Sequence, residues 1–205
     1  VQKIAFSNKP NKMLEVYKNT YTPEETDKPV MIFDMDGTLS NDSQRLPLWE
    51  KGQKAWKDYL KGWDYDSKKE AKDWFTHYHS LGRDDKHNEH PLMLLETAIA
   101  DPRFETWVLT GRTNIWAGAT ASWLQRTLHT KGRSGDFDPT KMVDRIIMQQ
   151  HGVETPTAQS KVSEALHRIP MDLLPQCTIL DNDQSVIDAF APYMSAFKFQ
   201  QFLQQ

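Results

Sequence analysis

The sequence predicts an α/β domain built on a parallel sheet flanked by helices, with a small helical insertion. Three observations carry that expectation. The run Val30-Met31-Ile32-Phe33 is apolar without polar alternation, the pattern of a strand buried on both faces inside a parallel sheet. Residues 106–110 and 177–180 form similar short runs, and each again ends in polar, turn-forming residues. Helical patterns separate these runs, as expected when parallel strands are joined by crossover helices.

Taken in order, residues 1–28 carry five Lys and four acids around a weak helical pattern of Met13, Leu14, Val16 and Tyr17. Thr22-Pro23-Glu24-Glu25 has the form of a cap with Pro at the first helical position. This region reads as an extension packed on the core or on a protein partner. The first strand then ends in Asp34-Met35-Asp36-Gly37-Thr38, so two carboxylates leave the sheet together. Residues two apart on a strand end point the same way, and Gly37 permits the tight turn that follows. In open α/β sheets ligands bind at this carboxyl edge. Two acids at one point repel, and a hard cation such as Mg²⁺ relieves them.

Residues 43–89 differ in character. Trp49, Trp56 and Trp63 recur every seven residues with Leu60 between the last two, so one helix carries them on one stripe, expected to be the insertion's own core. A stacking platform for bases is the other reading of the same Trp and Lys residues. A second helix is expected after Ser67 as N-cap, with Glu70 in capping-box position, carrying Ala71, Trp74, Phe75 and Tyr78. With ten Lys and Arg against nine acids over residues 44–90, the segment is not basic. His77, His79, His87 and His90 lack the companion Cys of many zinc sites and read as solvated or hydrogen-bonded.

Pro91 opens a helix through Leu92, Leu94, Leu95, Ala98 and Ile99, and a strand over 106–110 stops at Gly111-Arg112. Its Thr110-Gly111 end offers a hydroxyl and a backbone N–H, both donors to a phosphoryl oxygen. Residues 113–130 form a helix with Ile115, Trp116, Trp123, Leu124 and Leu128, followed by a Gly- and charge-rich loop over 131–136. Six basic residues against three acids between Arg112 and Arg145 suit a polyanion, although a solvated loop is the more ordinary explanation. A third strand is expected over 145–148, and a helix starts near Lys161. The last buried run, 177–180, ends in Asp181-Asn182-Asp183; a helix through Val186, Ile187 and Phe190 follows, and residues 196–199 add an edge strand.

Composition bounds the function. A chain of 205 residues is long enough for one domain with an insertion, and its net charge of −3 argues against a strongly basic nucleic-acid binder without excluding a local patch. The single Cys177 sits in an apolar run and cannot form a disulfide within the chain, which fits an intracellular compartment, cytoplasmic or organellar. No apolar run approaches the ~20 residues of a membrane span. The chain opens on Val1 rather than Met, which leaves room for a preceding targeting peptide or domain.

The motif Phe33-Asp34-Met35-Asp36-Gly37-Thr38-Leu39-Ser40 resembles the first signature of the haloacid dehalogenase (HAD) superfamily, mostly Mg²⁺-dependent phosphotransferases that use an aspartyl phosphate. The resemblance implies a Rossmann-like core over 29–42 and 90–205 and a helical cap over 43–89. It also implies Asp34 as nucleophile, and Asp36 as general acid and base whose backbone carbonyl helps hold the metal. Thr110-Gly111 resembles the second motif, in the phosphate-binding role. Lys161 resembles the third, neutralising nucleophile and phosphate, with Lys141 as competitor. Asp181-Asn182 resembles the Asp-Asn form of the fourth, which completes the Mg²⁺ ligands; Asp183 stays open as ligand, and Asp188 is expected on the following helix.

The insertion, Thr110-Gly111-Arg112-Thr113 and the Asp-Asn motif are similar to HAD enzymes acting on nucleotides or polynucleotide ends, including the phosphatase half of phage-type polynucleotide kinases. Leu46-Pro47-Leu48-Trp49 and Thr157-x₃-Lys161 add a looser likeness to RNA-repair-like HAD domains. The expected function is Mg²⁺-dependent hydrolysis of a phosphomonoester at a nucleotide or nucleic-acid end. A small-metabolite phosphatase, or a HAD-fold scaffold or assembly subunit of a larger complex, are the alternatives.

Overall fold

The computed structural model describes residues 26–130, 146–149 and 157–199. In chain order the elements are β1 (Val30–Phe33), β2 (Ser40–Asn41), α1 (Leu46–Gly62), α2 (Tyr65–Leu81), β3 (Lys86–His87), α3 (Glu89–Ala100) and β4 (Glu105–Thr113). They continue as α4 (Ala117–Thr130), β5 (Ile146–Gln149), α5 (Thr157–Leu166), β6 (Thr178–Asp181), α6 (Gln184–Phe190) and β7 (Ser195–Lys198). Five strands form one sheet in the order β5-β4-β1-β6-β7, with every pairing parallel. β1 is therefore central, and the crossovers place helices on both faces.

Strand alternation divides the core in two. Val30, Ile32, Trp107, Leu109 and Ile179 pack on one face with Ala165, Val186 and Phe190 of α5 and α6. Phe33 and Val108 face the other way, onto Leu92 and Leu95 of α3 and Trp123, Leu124 and Leu128 of α4. Both faces are covered, which is why these strands read as unbroken apolar runs. Cys177 is buried, and its Sγ accepts the Val30 N–H at 3.2 Å.

α1 and α2 form an antiparallel hairpin between β1 and β4, rooted by the short antiparallel ladder of β2 and β3, which the sequence reading did not anticipate. The hairpin corrects two expectations. Its buried residues are Gly52, Ala55, Ala71 and Tyr78, not the Trp stripe. A Cβ at Gly52 would stand 2.5 Å from the Phe75 ring, so small residues set the helix spacing. Trp63 lies one residue beyond α1 in a left-handed conformation (φ 53°) and is 76% exposed. Second, α2 is capped by Asp64, not Ser67: its carboxylate accepts the N–H groups of Asp66 and Ser67 at 3.2 and 3.0 Å.

Smaller differences follow from pairing. β4 runs three residues past Thr110, with a register irregularity between Thr110 and Thr113 that carries Arg112 inward. α3 begins at Glu89 rather than Pro91, and α5 begins four residues before Lys161. The expected N-terminal helical pattern, Lys141 and the 131–136 loop lie outside the described residues. No helix among the described residues is long and apolar enough to cross a membrane.

Candidate active site

The sheet register assembles the site. Phe33 pairs with Leu180, and the Asp34 N–H donates to the Leu180 carbonyl at 2.9 Å, so Asp34 and Asp181 emerge side by side at the carboxyl edge. Lys161, reaching in from α5, places Nζ 2.6 Å from Asp34 Oδ1 and 2.6 Å from Asp181 Oδ2. All three side chains are buried. Burial favours the neutral lysine, but the two carboxylates outweigh it and hold the ammonium pKa above its ordinary range. Asp34 is pushed up, first by burial and then by the Asp181 charge, against the pull of Lys161.

With both carboxylates ionised the triad carries one more negative charge than positive, and Asp34 Oδ2 is buried without a hydrogen-bond partner. An orphaned carboxylate oxygen beside a second carboxylate fits a hard, oxygen-preferring cation. Asn182 brings an amide oxygen to the same edge, where Oδ1 lies 3.4 Å from Thr38 Oγ1. Its amide packs against Gly37, which has φ +84° and no Cβ to obstruct it. Among the described residues no group of three or more His, Cys, Asp or Glu forms a preassembled metal centre. A cation here would therefore draw on amide and backbone carbonyl oxygens besides the two carboxylates. Asp183 also lines the cavity at this edge, but its Oδ1 caps α6, accepting the Ser185 N–H at 2.8 Å. Asp188 lies on α6 as expected, exposed and bonded by Gln184.

The second acid of the motif has different surroundings. Asp36 accepts from Arg112 Nε at 2.9 Å and from Arg112 Nη2 at 2.5 Å, and Arg45 Nη2 contacts the same carboxylate. Burial would raise its pKa, yet Arg112 and then Arg45 hold the carboxyl well below the usual carboxylate range. Arg45 also grips Asp85 with Nε at 2.9 Å and Nη2 at 2.6 Å, and its guanidinium lies 3.9 Å over the Tyr78 ring. Tyr78 in turn donates to Asp42 at 2.6 Å. The root of the hairpin is thus wired to the sheet edge by a buried charge network.

Thr110 is buried, and its Oγ1 accepts the Arg112 N–H at 3.2 Å. Gly111 lines the cavity itself, against Thr157. The cavity holds about 170 Å³. Asp34, Asp36, Gly111, Lys161, Asp181 and Asn182 supply a polar floor, while Leu46, Trp49, Tyr78 and His79 form a wall from the near end of the hairpin. The structure therefore gathers Asp34, Asp36, Gly111, Lys161, Asp181 and Asn182 at one cavity and leaves Thr110 just beneath it.

Sequence reasoning missed Arg45 and Asp85, read His79 as solvated or hydrogen-bonded, and gave Arg112 no role beyond the Thr110–Thr113 motif and a local basic excess. Arg112 had a usable signal, since it directly follows Thr110-Gly111; Arg45 and Asp85 had none. Of the four histidines, His77 and His90 are exposed and His87 pairs with Glu89 at 2.8 Å. His79 instead turns to the cavity, with its Nδ1 buried and unpartnered. Burial lowers its pKa to about 4, leaving a neutral imidazole at pH 7.

No family model and no curated protein matches the sequence. Solved structures match its fold. A chain of the Pnkp1/Rnl/Hen1 complex superposes with a TM-score of 0.52 at 19% identity, covering 88% of this chain and 49% of that one. A chain of the Pnkp1/Rnl/Hen1 RNA repair complex gives 0.53 at 19% identity, covering 87% and 45%. A haloacid dehalogenase-like family hydrolase from Streptococcus pneumoniae gives 0.55 at 12% identity, covering 83% and 84%. This chain spans about half the length of the first two chains and most of the third. The fold is that of the HAD hydrolases.

Proposed function

We propose that this chain is a Mg²⁺-dependent phosphomonoester hydrolase acting through an aspartyl phosphate at Asp34. The observation that carries the reading is the buried Asp34–Lys161–Asp181 triad with Asp34 Oδ2 left unpartnered at the cavity floor. A scaffold without chemistry has no use for such a set, because burying unpaired charge is destabilising. Asp34, Asp181, Asn182 and the Asp36 carbonyl would hold the metal, which supplies charge neutralisation at the phosphoryl oxygens.

The remaining steps belong to the chain's own groups. Lys161 and the Gly111 N–H bind phosphoryl oxygens, with the Thr110 hydroxyl as a further donor beneath. One Asp34 oxygen attacks phosphorus as the ester P–O bond breaks, and the leaving oxygen takes a proton from Asp36. Water then gives a proton to Asp36 and attacks the same phosphorus, releasing phosphate and restoring the Asp34 carboxylate. Between Arg45 and Arg112 Asp36 is held ionised, so donation in the first half requires it to leave that clamp. The hairpin, whose near end walls the cavity, is the cap that limits which leaving groups enter.

A nucleotide or nucleic-acid end is the proposed substrate, supported by the aromatic wall of Trp49 and Tyr78 and by the fold's likeness to a chain of an RNA repair complex. That likeness also supports membership of a protein complex, with the N-terminal extension as contact. Hydrolysis of p-nitrophenyl phosphate with and without Mg²⁺ tests the chemistry. Asp34→Asn should abolish phosphate release at unchanged folding, and near-normal turnover in that variant would exclude the aspartyl-phosphate route.

A further inference from the structure

The far end of the α1–α2 hairpin carries a second groove, of about 360 Å³, lined by Tyr59, Trp63, Tyr65, Lys68, Lys69 and Lys72. Trp63 and Tyr65 are each 76% exposed, a costly display for side chains of this size in water. The rings are ordered against one another: Trp56 and Tyr59 lie 5.1 Å apart, Tyr59 and Trp63 5.7 Å apart, and Lys68 Nζ sits 5.1 Å over the Tyr59 ring. Trp63 is the one non-glycine residue with positive φ among the described residues. Trp63 adopts it as the residue that ends α1, where a left-handed residue is a common cap, and its N–H donates to the Tyr59 carbonyl.

Charge selects the occupant. Residues 51–73 carry seven Lys against five acids. Asp64 is committed to capping α2, the Asp58–Lys61 pair cancels, and the groove itself is lined by three Lys and no acid. Aromatic faces flanked by lysines on successive turns of one helix match bases stacked beside a phosphate chain. We propose that this groove is a binding platform for single-stranded nucleic acid whose phosphorylated end lies at Asp34, a reading that rests on the hydrolase function above. The two sites lie at opposite ends of one hairpin, since Leu46, Trp49, Tyr78 and His79 at its near end line the catalytic cavity. Trp49 and Trp63 are 14 residues apart, about 21 Å along a helix. That distance corresponds to about six nucleotides at the ~3.4 Å spacing of a stacked strand.

The test is kcat/KM for homopolymeric oligonucleotides of one, three, six and ten residues, phosphorylated at the 3′ or the 5′ end, with p-nitrophenyl phosphate as the length-independent control. The parent protein should gain about tenfold or more once the strand reaches roughly six residues, mostly through KM, and the gain should shrink with added salt. Trp63→Ala/Tyr65→Ala should erase the gain and Lys69→Glu reduce it, with hydrolysis of the aryl phosphate unchanged in both. A flat length profile in the parent, or a gain that survives the double substitution, overturns the platform while leaving the hydrolase reading intact. If the parent hydrolyses nothing, anisotropy of a labelled ten-residue strand still decides. Tighter binding by the parent than by Trp63→Ala/Tyr65→Ala supports the platform, and equal binding overturns it.

Discussion

Arg112 Nε lies 2.9 Å from Asp36 Oδ2, tying the end of β4 to the loop after β1 across 76 residues of chain. The fork of Arg112 takes both oxygens of Asp36, and Arg45 bridges from the same carboxylate to Asp85. Two buried cations thus face two carboxylates at the point where hairpin meets sheet. Such a network is balanced only while all members are present.

Removing one partner leaves a buried charge unmatched, so Arg112→Ala should cost about 3–5 kcal/mol of stability. Arg112→Lys should recover part of it, because an ammonium keeps the charge but not the two-pronged geometry. Urea denaturation of the three proteins checks this. A loss under about 1 kcal/mol for the alanine variant would mean that solvent or a neighbour compensates Asp36.

The Asp-Asn-Asp sequence at the end of β6 separates into two jobs. Asp181 is buried on Lys161, whereas Asp183 caps α6. Asp181→Ala should raise the Mg²⁺ concentration needed for half-maximal aryl phosphate hydrolysis. Asp183→Ala should leave that requirement alone and lower stability by about 0.5–2 kcal/mol, the usual loss for a helix N-cap. Metal titration and melting of both variants separate the roles, and the reverse pattern would move the ligand to Asp183.

The hairpin yields a ranking that periodicity alone gets backwards. A Trp stripe as core makes Trp56→Ala a large-cavity substitution, worth about 3–5 kcal/mol. In the structure Trp56 is only half-buried and stacks on Tyr59, while Gly52 lies against the Phe75 ring. Gly52→Leu should therefore lower the melting temperature more than Trp56→Ala, since overpacking a close helix contact forces the helices apart. If Trp56→Ala proves the worse of the two, the stripe is core after all.

The sheet and its acids were legible because their signals are local. A strand buried on both faces must be apolar throughout, and Asp34, Asp36 and Asp181 sit within a few residues of those runs. The charge network was not legible, because Arg45 meets Asp85 forty residues away and its partners share no spacing rule. Nor does a heptad of large residues say which side faces the neighbouring helix when Gly52, Ala55 and Ala71 set a close approach. The same limit hid His79, one of four histidines in one stretch and the one that turns to the cavity.

His79 also predicts a pH dependence of stability. Burial lowers its folded-state pKa to about 4, with the Asp36 charge opposing and Arg112 and Arg45 reinforcing the shift. Its unfolded value is the ordinary ~6.5, so between those values the unfolded chain binds more protons. The contribution is then fully present above about pH 6.5 and fades as pH falls toward 4. Stability should rise with pH across this window, and His79→Phe, which cannot titrate, should flatten that part of the profile. Urea unfolding at pH 4.5, 5.5 and 7 in parent and variant isolates the difference from the other titrating groups. Parallel profiles would mean that the imidazole is solvated and titrates in the folded protein as it does in the unfolded chain.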